Sequence, residues 1–97
     1  MNIRNCKGVA RIRLHPEQIA RIWARDKATC VYCGAIAQEM DHVIPFQHGG
    51  PSRECNMVLS CKKCNQIKWK HLDEGFITKG LTHLARCGMD LSWVDKI

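Results

Sequence analysis

Two short cysteine pairs constrain this chain more than any other feature: Cys30-Val-Tyr-Cys33 and Cys61-Lys-Lys-Cys64. Each pair offers two sulfurs from one tight turn, and Gly34 after the first pair supplies the backbone freedom such a knuckle requires. With residues 34–60 between them, the two turns make a tetrahedral four-thiolate zinc site the expected arrangement. A redox-active CxxC, or simply buried free thiols, are the competing accounts. Zinc held by four thiolates keeps no open position, so it is structural and any chemistry lies elsewhere. Cys6, Cys55 and Cys87 remain from the seven cysteines and are expected to be small buried hydrophobes. The odd count argues against a closed disulfide framework.

At 97 residues the chain amounts to one domain. A chain of this size buries only about 60–65% of its unfolded surface, so metal binding would contribute directly to folding. No apolar run is long enough to span a membrane. The N-terminus, MNIRNCKGVARIRLH, lacks the apolar stretch of a signal peptide, which makes a soluble, cytoplasmic chain the expectation. Fifteen Lys and Arg against nine Asp and Glu leave a net charge of +6, which favours anionic partners. The charge is uneven. Arg4, Lys7, Arg11 and Arg13 occur without an acid in residues 1–16, and KKCNQIKWK at 62–70 carries four lysines and no acid. Each run is either a solvated basic face or a phosphate-binding one.

His15-Pro16-Glu17 has the form of a helix start, and Ile19, Ala20, Ile22, Trp23 and Ala24 follow at helical spacing. Arg21, Arg25 and Lys27 are expected to face outward, with the helix ending near Ala28. Residues 35–46 alternate as a strand closed by Pro45, QHGGPSREC is a loop, and Asn56 to Ser60 is a short apolar strand. A hairpin follows from that order. Residues 61 to about 71 read as a helix starting on the second knuckle. A weaker helix follows, with Thr78 as a cap, Leu81, Leu84 and Ala85 as its apolar stripe, and Gly88 as its end. Residues 89–97 carry no assignment. The expected class is therefore α+β: a β-hairpin plus helix with a four-cysteine zinc site and flanking helices. A basic segment 1–15, a core 16–71 and a helical extension 72–97 would share one domain.

Zinc at the two knuckles would set Asp41 and His42, at the far end of the first strand, against the helix bearing Asn65 and Lys68. Asp41 and Asn65 offer oxygen, the donor preferred by Mg²⁺ or Mn²⁺. Such an ion normally completes its shell with water and substrate phosphate. A histidine, with an ordinary pKa of about 6.5, suits proton removal from an attacking water. Lys68, three residues after Asn65, shares its face and could hold a phosphate. Together these residues describe metal-assisted phosphodiester hydrolysis. Neighbours in a regular strand point to opposite faces, so the reading requires a bend at the strand end. The bland alternative for Asp41-His42 is a solvated strand end. His48 is either a loop residue in water or a phosphate contact, and His71 either shares the Lys68 face or does not. His15 belongs to the helix start, His83 to a helix surface, and the tryptophans to core or groove edge rather than to base stacking.

DH at 41–42, GG at 49–50 and NMVLSCKKCNQIK at 56–68 resemble the HNH endonucleases, in their ββα-metal variant with two zinc-binding knuckles. IARIWARDKATCVYCG resembles the helix and first knuckle that open this group, so the resemblance covers roughly residues 16–71. It implies that His42 is the general base and that Asp41 binds the catalytic metal. Asn56 would brace the hairpin loop and orient the base. The last motif position, His in many members and Asn in others, is Asn65 here; an amide is a weaker ligand than imidazole. The implied reaction is attack of water on phosphorus, with Mg²⁺ or Mn²⁺ stabilising the leaving 3′ oxygen, to give 5′-phosphate and 3′-hydroxyl ends. The implied partner is DNA, with RNA an open alternative, contacted by Arg53, Lys62, Lys63, Lys68 and Lys70. A non-catalytic zinc-stabilised nucleic-acid-binding module is the competing reading. Weak sequence specificity is expected, because no separate recognition element is visible. Monomer and homodimer are equally compatible with the sequence.

Overall fold

Pro16 occupies the first position of helix α1 (Pro16–Arg25), and the backbone N–H of His15 donates to Gln18 Oε1 at 2.7 Å, which fixes the helix entrance. The computed structural model describes residues 14–71 and 74–96. The basic run containing Arg4, Lys7, Arg11 and Arg13, together with Cys6, lies outside the described residues. Ile22 is the buried residue of α1, and Trp23 packs partly against the same cluster. The helix stops at Asp26, short of the expected Ala28. Lys27 and Ala28 both adopt left-handed backbone, φ 56° and 53°, which ends the helical ladder and turns the chain into the first knuckle.

The expected outward orientation of Arg25 is overturned. Its Nη2 donates to the Met57 carbonyl at 2.6 Å and its Nη1 to the Glu54 carbonyl at 3.0 Å. The guanidinium also grips the buried Asp26, with Nε on Oδ1 at 2.7 Å and Nη2 on Oδ2 at 3.0 Å. Asp26 further accepts the Leu59 N–H at 3.0 Å and meets His83 Nε2 at 2.7 Å. His83 is therefore tied inward rather than lying on a helix surface. Burial alone would push the Asp26 carboxyl up, but the bonds from Arg25, His83 and Leu59 outweigh it and hold the group below the ordinary carboxylate range. Cys87 Sγ stands 3.6 Å from His83 Nε2, and the donor atoms of Asp26, His83 and Cys87 lie within 4.8 Å of one another. Arg25 pairs with the carboxylate, and the trio ties the end of α1 and the second strand to the segment carrying His83 and Cys87.

Strand β1 (Glu39–His42) pairs antiparallel with β2 (Met57–Ser60), placing Asp41 opposite Val58 and His42 opposite Met57. The strand expected over residues 35–46 is thus four residues long, preceded by an isolated bridge between Thr29 and Ile36. Its far end is cut short at Val43 and Ile44, where the backbone leaves β2 to pair with Asn56. Asn56 is fully buried: its Oδ1 accepts the Ile44 N–H at 2.9 Å, and its Nδ2 donates to Ile44 and Pro51 carbonyls at 3.0 Å each. The loop between them contains a 3₁₀ turn (Phe46–His48) ended by Gly49 at φ 92°. At Gly50 a Cβ would fall 1.8 Å from the Ile44 carbonyl oxygen, so only glycine fits.

Helix α2 (Lys62–Lys70) starts on Cys61, whose sulfur accepts the Cys64 N–H at 3.4 Å as an N-cap. Helix α3 (Glu74–Arg86) begins ahead of the expected cap, leaving Thr78 inside it; Gly88, at φ 82°, follows its end. Leu84 is completely buried, Leu81 partly, and Ala85 is exposed. Gly80 lets Val43 approach so closely that a Cβ would lie 2.6 Å from both valine methyls. The unassigned tail forms a 3₁₀ turn (Ser92–Lys96). The core has two parts, one around Tyr32, Val43, Val58 and Leu84 and the other around Ile22, Met57 and Leu59. Hairpin, α2 and flanking helices make the class α+β, and among the described residues no helix is long and apolar enough to cross a membrane.

Two outcomes follow from these buried polar groups. Asn56→Ala strands three backbone groups and should cost roughly 3 kcal/mol in urea unfolding; an unchanged midpoint would contradict the bracing role. Because the Asp26 carboxyl is held low, its contribution is present above about pH 4 and fades as pH falls further. Asp26→Asn should flatten that acid limb of the stability curve, and a variant with the wild-type slope would show that Asp26 does not supply it.

Candidate functional site

The sulfurs of Cys30, Cys33, Cys61 and Cys64 lie within 4.8 Å of one another, with Cys33 and Cys61 at 3.7 Å. Tetrahedral zinc with Zn–S bonds of about 2.3 Å requires sulfur–sulfur edges of about 3.8 Å, so the cluster has the right size. The two knuckles reach it by different means. Cys30 and Cys33 sit on a turn closed by the Gly34 N–H on the Cys30 carbonyl at 2.9 Å, whereas Cys61 and Cys64 lie at the start of α2. Burial would raise the Cys30 thiol, but backbone amides of Cys61, Cys33 and Tyr32 bring it down to about 7. Burial and the three neighbouring sulfurs push Cys64 up. Four thiolates at this spacing would repel one another, and a cation among them would offset that charge. The four cysteines could therefore hold a structural zinc. Cys55 and Cys87 are half-buried rather than core.

Tyr32, lying between the two ligands of the first knuckle, carries the link from this cluster to Asp41. Its hydroxyl donates to Asp41 Oδ2 at 2.6 Å, and burial together with the adjacent carboxylate raises its own pKa far above that of a free phenol. Phe76 packs edge-on against its ring at 5.1 Å, and Lys79 Nζ donates to its carbonyl at 2.8 Å. Lys68 approaches the same carboxylate oxygen from α2, Nζ to Asp41 Oδ2 at 3.0 Å, and donates to the His42 carbonyl at 2.5 Å. Only 4% of Lys68 is exposed. Lys68, expected to hold a phosphate, is thus buried at the cleft with its charge engaged in an internal ion pair.

Asp41, His42, Asn65, Lys68 and Lys70 nevertheless line one cleft of about 470 Å³, walled also by Phe46 and Trp69. Asp41 and His42 leave adjacent positions of β1, and the end of the strand at His42 lets both side chains border it. His42 Nε2 is 2.8 Å from Ser52 Oγ. The Asn65 amide nitrogen donates to Glu39 Oε1; a carboxylate only accepts, so the amide must present its N–H to Glu39 and its oxygen elsewhere. Asn56 lies behind this surface, holding the loop. His48 is exposed on the cleft wall, while His71 caps the C-terminal end of α2 through its N–H on the Ile67 carbonyl.

The other basic residues are distributed differently from the expectation. Lys62 and Lys63 are exposed at the opposite end of α2 from Lys70. Arg53 lies on the loop, where it is the weakest of the influences that lower the Asp90 carboxyl, after the bonds from Ser92. Tyr32, Ser52 and Glu39 are the polar partners that sequence reasoning did not find. Tyr32 alone had a signal, as a phenol locked between two metal ligands.

Residues 30–70 match the family model of the HNH endonuclease, a span holding both cysteine pairs, His42, Asn56 and Asn65. No curated protein matches the chain. That match, together with a possible zinc site, points to nuclease or nucleic-acid-binding function. Loss of zinc, by chelation or by Cys61→Ser, should abolish the cooperative thermal transition seen by circular dichroism; a transition that survives demetallation would remove the metal from the fold.

Proposed function

We propose that the chain is a metal-dependent HNH endonuclease that hydrolyses DNA phosphodiester bonds to 5′-phosphate and 3′-hydroxyl ends. Support comes chiefly from Asp41, His42 and Asn65 bordering one cleft beside Lys70, within the span matched by the HNH model. Residues 16–71 would form the nuclease core, with residues 72–97 as part of the same domain.

The donor set suits a hard divalent cation. Among the described residues both partners of Asp41 converge on Oδ2, so Oδ1 is the carboxylate oxygen that would meet Mg²⁺ or Mn²⁺. Asn65, fixed by Glu39 through its nitrogen, supplies an amide oxygen. Bound there, the cation would offset charge on the phosphate and the leaving oxygen. Ser52 can accept the Nε2 proton of His42, so that Nδ1 carries the lone pair and takes the proton from the attacking water. Lys68 and Tyr32 hold Asp41 in place and moderate its charge. Lys70, exposed on the cleft wall, meets a substrate phosphate.

A non-catalytic nucleic-acid-binding module remains the second reading, favoured by one observation: the Lys68 ammonium already pairs with Asp41. The two separate in a plasmid-relaxation assay with and without Mg²⁺ or Mn²⁺. Metal-dependent nicking that falls at least about 100-fold in His42→Ala is the expected result. DNA binding by both proteins with no cutting under either metal would establish the module instead.

A further inference from the structure

Trp69 plays no part in the chemistry assigned to the cleft, yet it stands in its wall. Its side chain is 78% exposed, an unusual state for the largest apolar side chain on a short helix. It follows Asn65 by four residues, so the two share a face of α2, with Cβ atoms about 5–6 Å apart. Lys70, exposed, borders the same cleft. Across residues 62–70 the helix carries four lysines and no acid, and of these Lys68 is neutralised internally by Asp41. An open aromatic face is thus set beside one exposed cation, Lys70, and one helical turn beyond an asparagine facing the cleft.

These are the components of a site for an unpaired base: a cation to meet the backbone phosphate and a ring on which the base stacks. A base within an intact duplex is already stacked on both faces and cannot offer one to the indole. We propose that Trp69 is a stacking platform for a nucleobase adjoining the phosphate in the cleft, and that the substrate is single-stranded or locally unpaired nucleic acid. The proposal rests on the reading of the cleft as a phosphate site. Acidic partners of other kinds would satisfy the lysines but leave the flat face of the indole unmatched.

The test uses the full zinc-loaded chain without added Mg²⁺, so that strands stay intact. Binding of a short single strand and of its duplex is followed by anisotropy, and tryptophan emission is recorded in parallel. Trp69→Ala should weaken single-strand binding about tenfold and leave duplex binding nearly unchanged, while Trp69→Phe recovers most of the loss. Quenching by the single strand should disappear in Trp69→Phe, since Trp23 and Trp93 are only half-exposed elsewhere in the fold. Equal losses on both substrates, or no loss on either, would overturn the platform. Because Trp69 is exposed, an unchanged circular dichroism spectrum and zinc content will show that the variants fold. Adding Mg²⁺ to the same strands then tests the cleft separately. Cleavage without strand-selective binding removes the platform alone, and selective binding without cleavage upholds the platform while removing the nuclease reading.

Discussion

Everything in this fold depends on bringing four sulfurs together from two places in the chain. The hydrophobic clusters are small and divided, and the hairpin has only two strands, a number that is marginal on its own in water. The sulfur cluster supplies what they lack, because it joins the turn before β1 to the first turn of α2. Cys61 shows how economical the junction is. It is one of the four sulfurs, it caps α2, and it lies directly after β2. A single side chain therefore fixes the angle between strand and helix, and with it the separation of Asp41 from Asn65.

The acid at the cleft is held by an arrangement that costs stability as well as supplying it. Burying an ammonium and a carboxylate removes both from water, and their attraction repays this only with further hydrogen bonds. Tyr32 and the His42 carbonyl provide those bonds. The same carboxylate thus has one oxygen engaged by both groups inside the protein. A polar cluster of this kind specifies position more than it adds stability, which is what a site demanding fixed geometry needs.

Much of the architecture was legible because it is written in short-range patterns. The cysteine spacing, Pro16 at a helix start, the hairpin order and the Asn56 motif all survive in the structure. What was missed depends on contacts distant in sequence. Arg25 and His83 sit at positions that look solvent-facing on their own helices, and only Asp26, reached from 57 residues away in one case, draws them inward. The stop at Asp26 was equally hidden, since Lys27 and Ala28 adopt left-handed backbone without glycine or asparagine to announce it. Lys68 was placed on the correct face of α2 but given the wrong partner: helical periodicity assigns a direction and says nothing of the carboxylate lying there. Trp69 lies where the expectation of core or groove edge allowed, at the edge of the cleft, though no periodic pattern chooses between those two positions.

The hydroxyl of Tyr32 reaches Asp41 from inside the first knuckle, whereas Lys68 reaches it from the helix that begins on the second. The two supports belong to the two segments that the cysteine pairs open, and the pairing of β1 with β2 runs between them. Zinc held by the four cysteines would thus tie the arrangement of the cleft to metal supply, and a zinc-starved chain would carry the residues of the site without their placement.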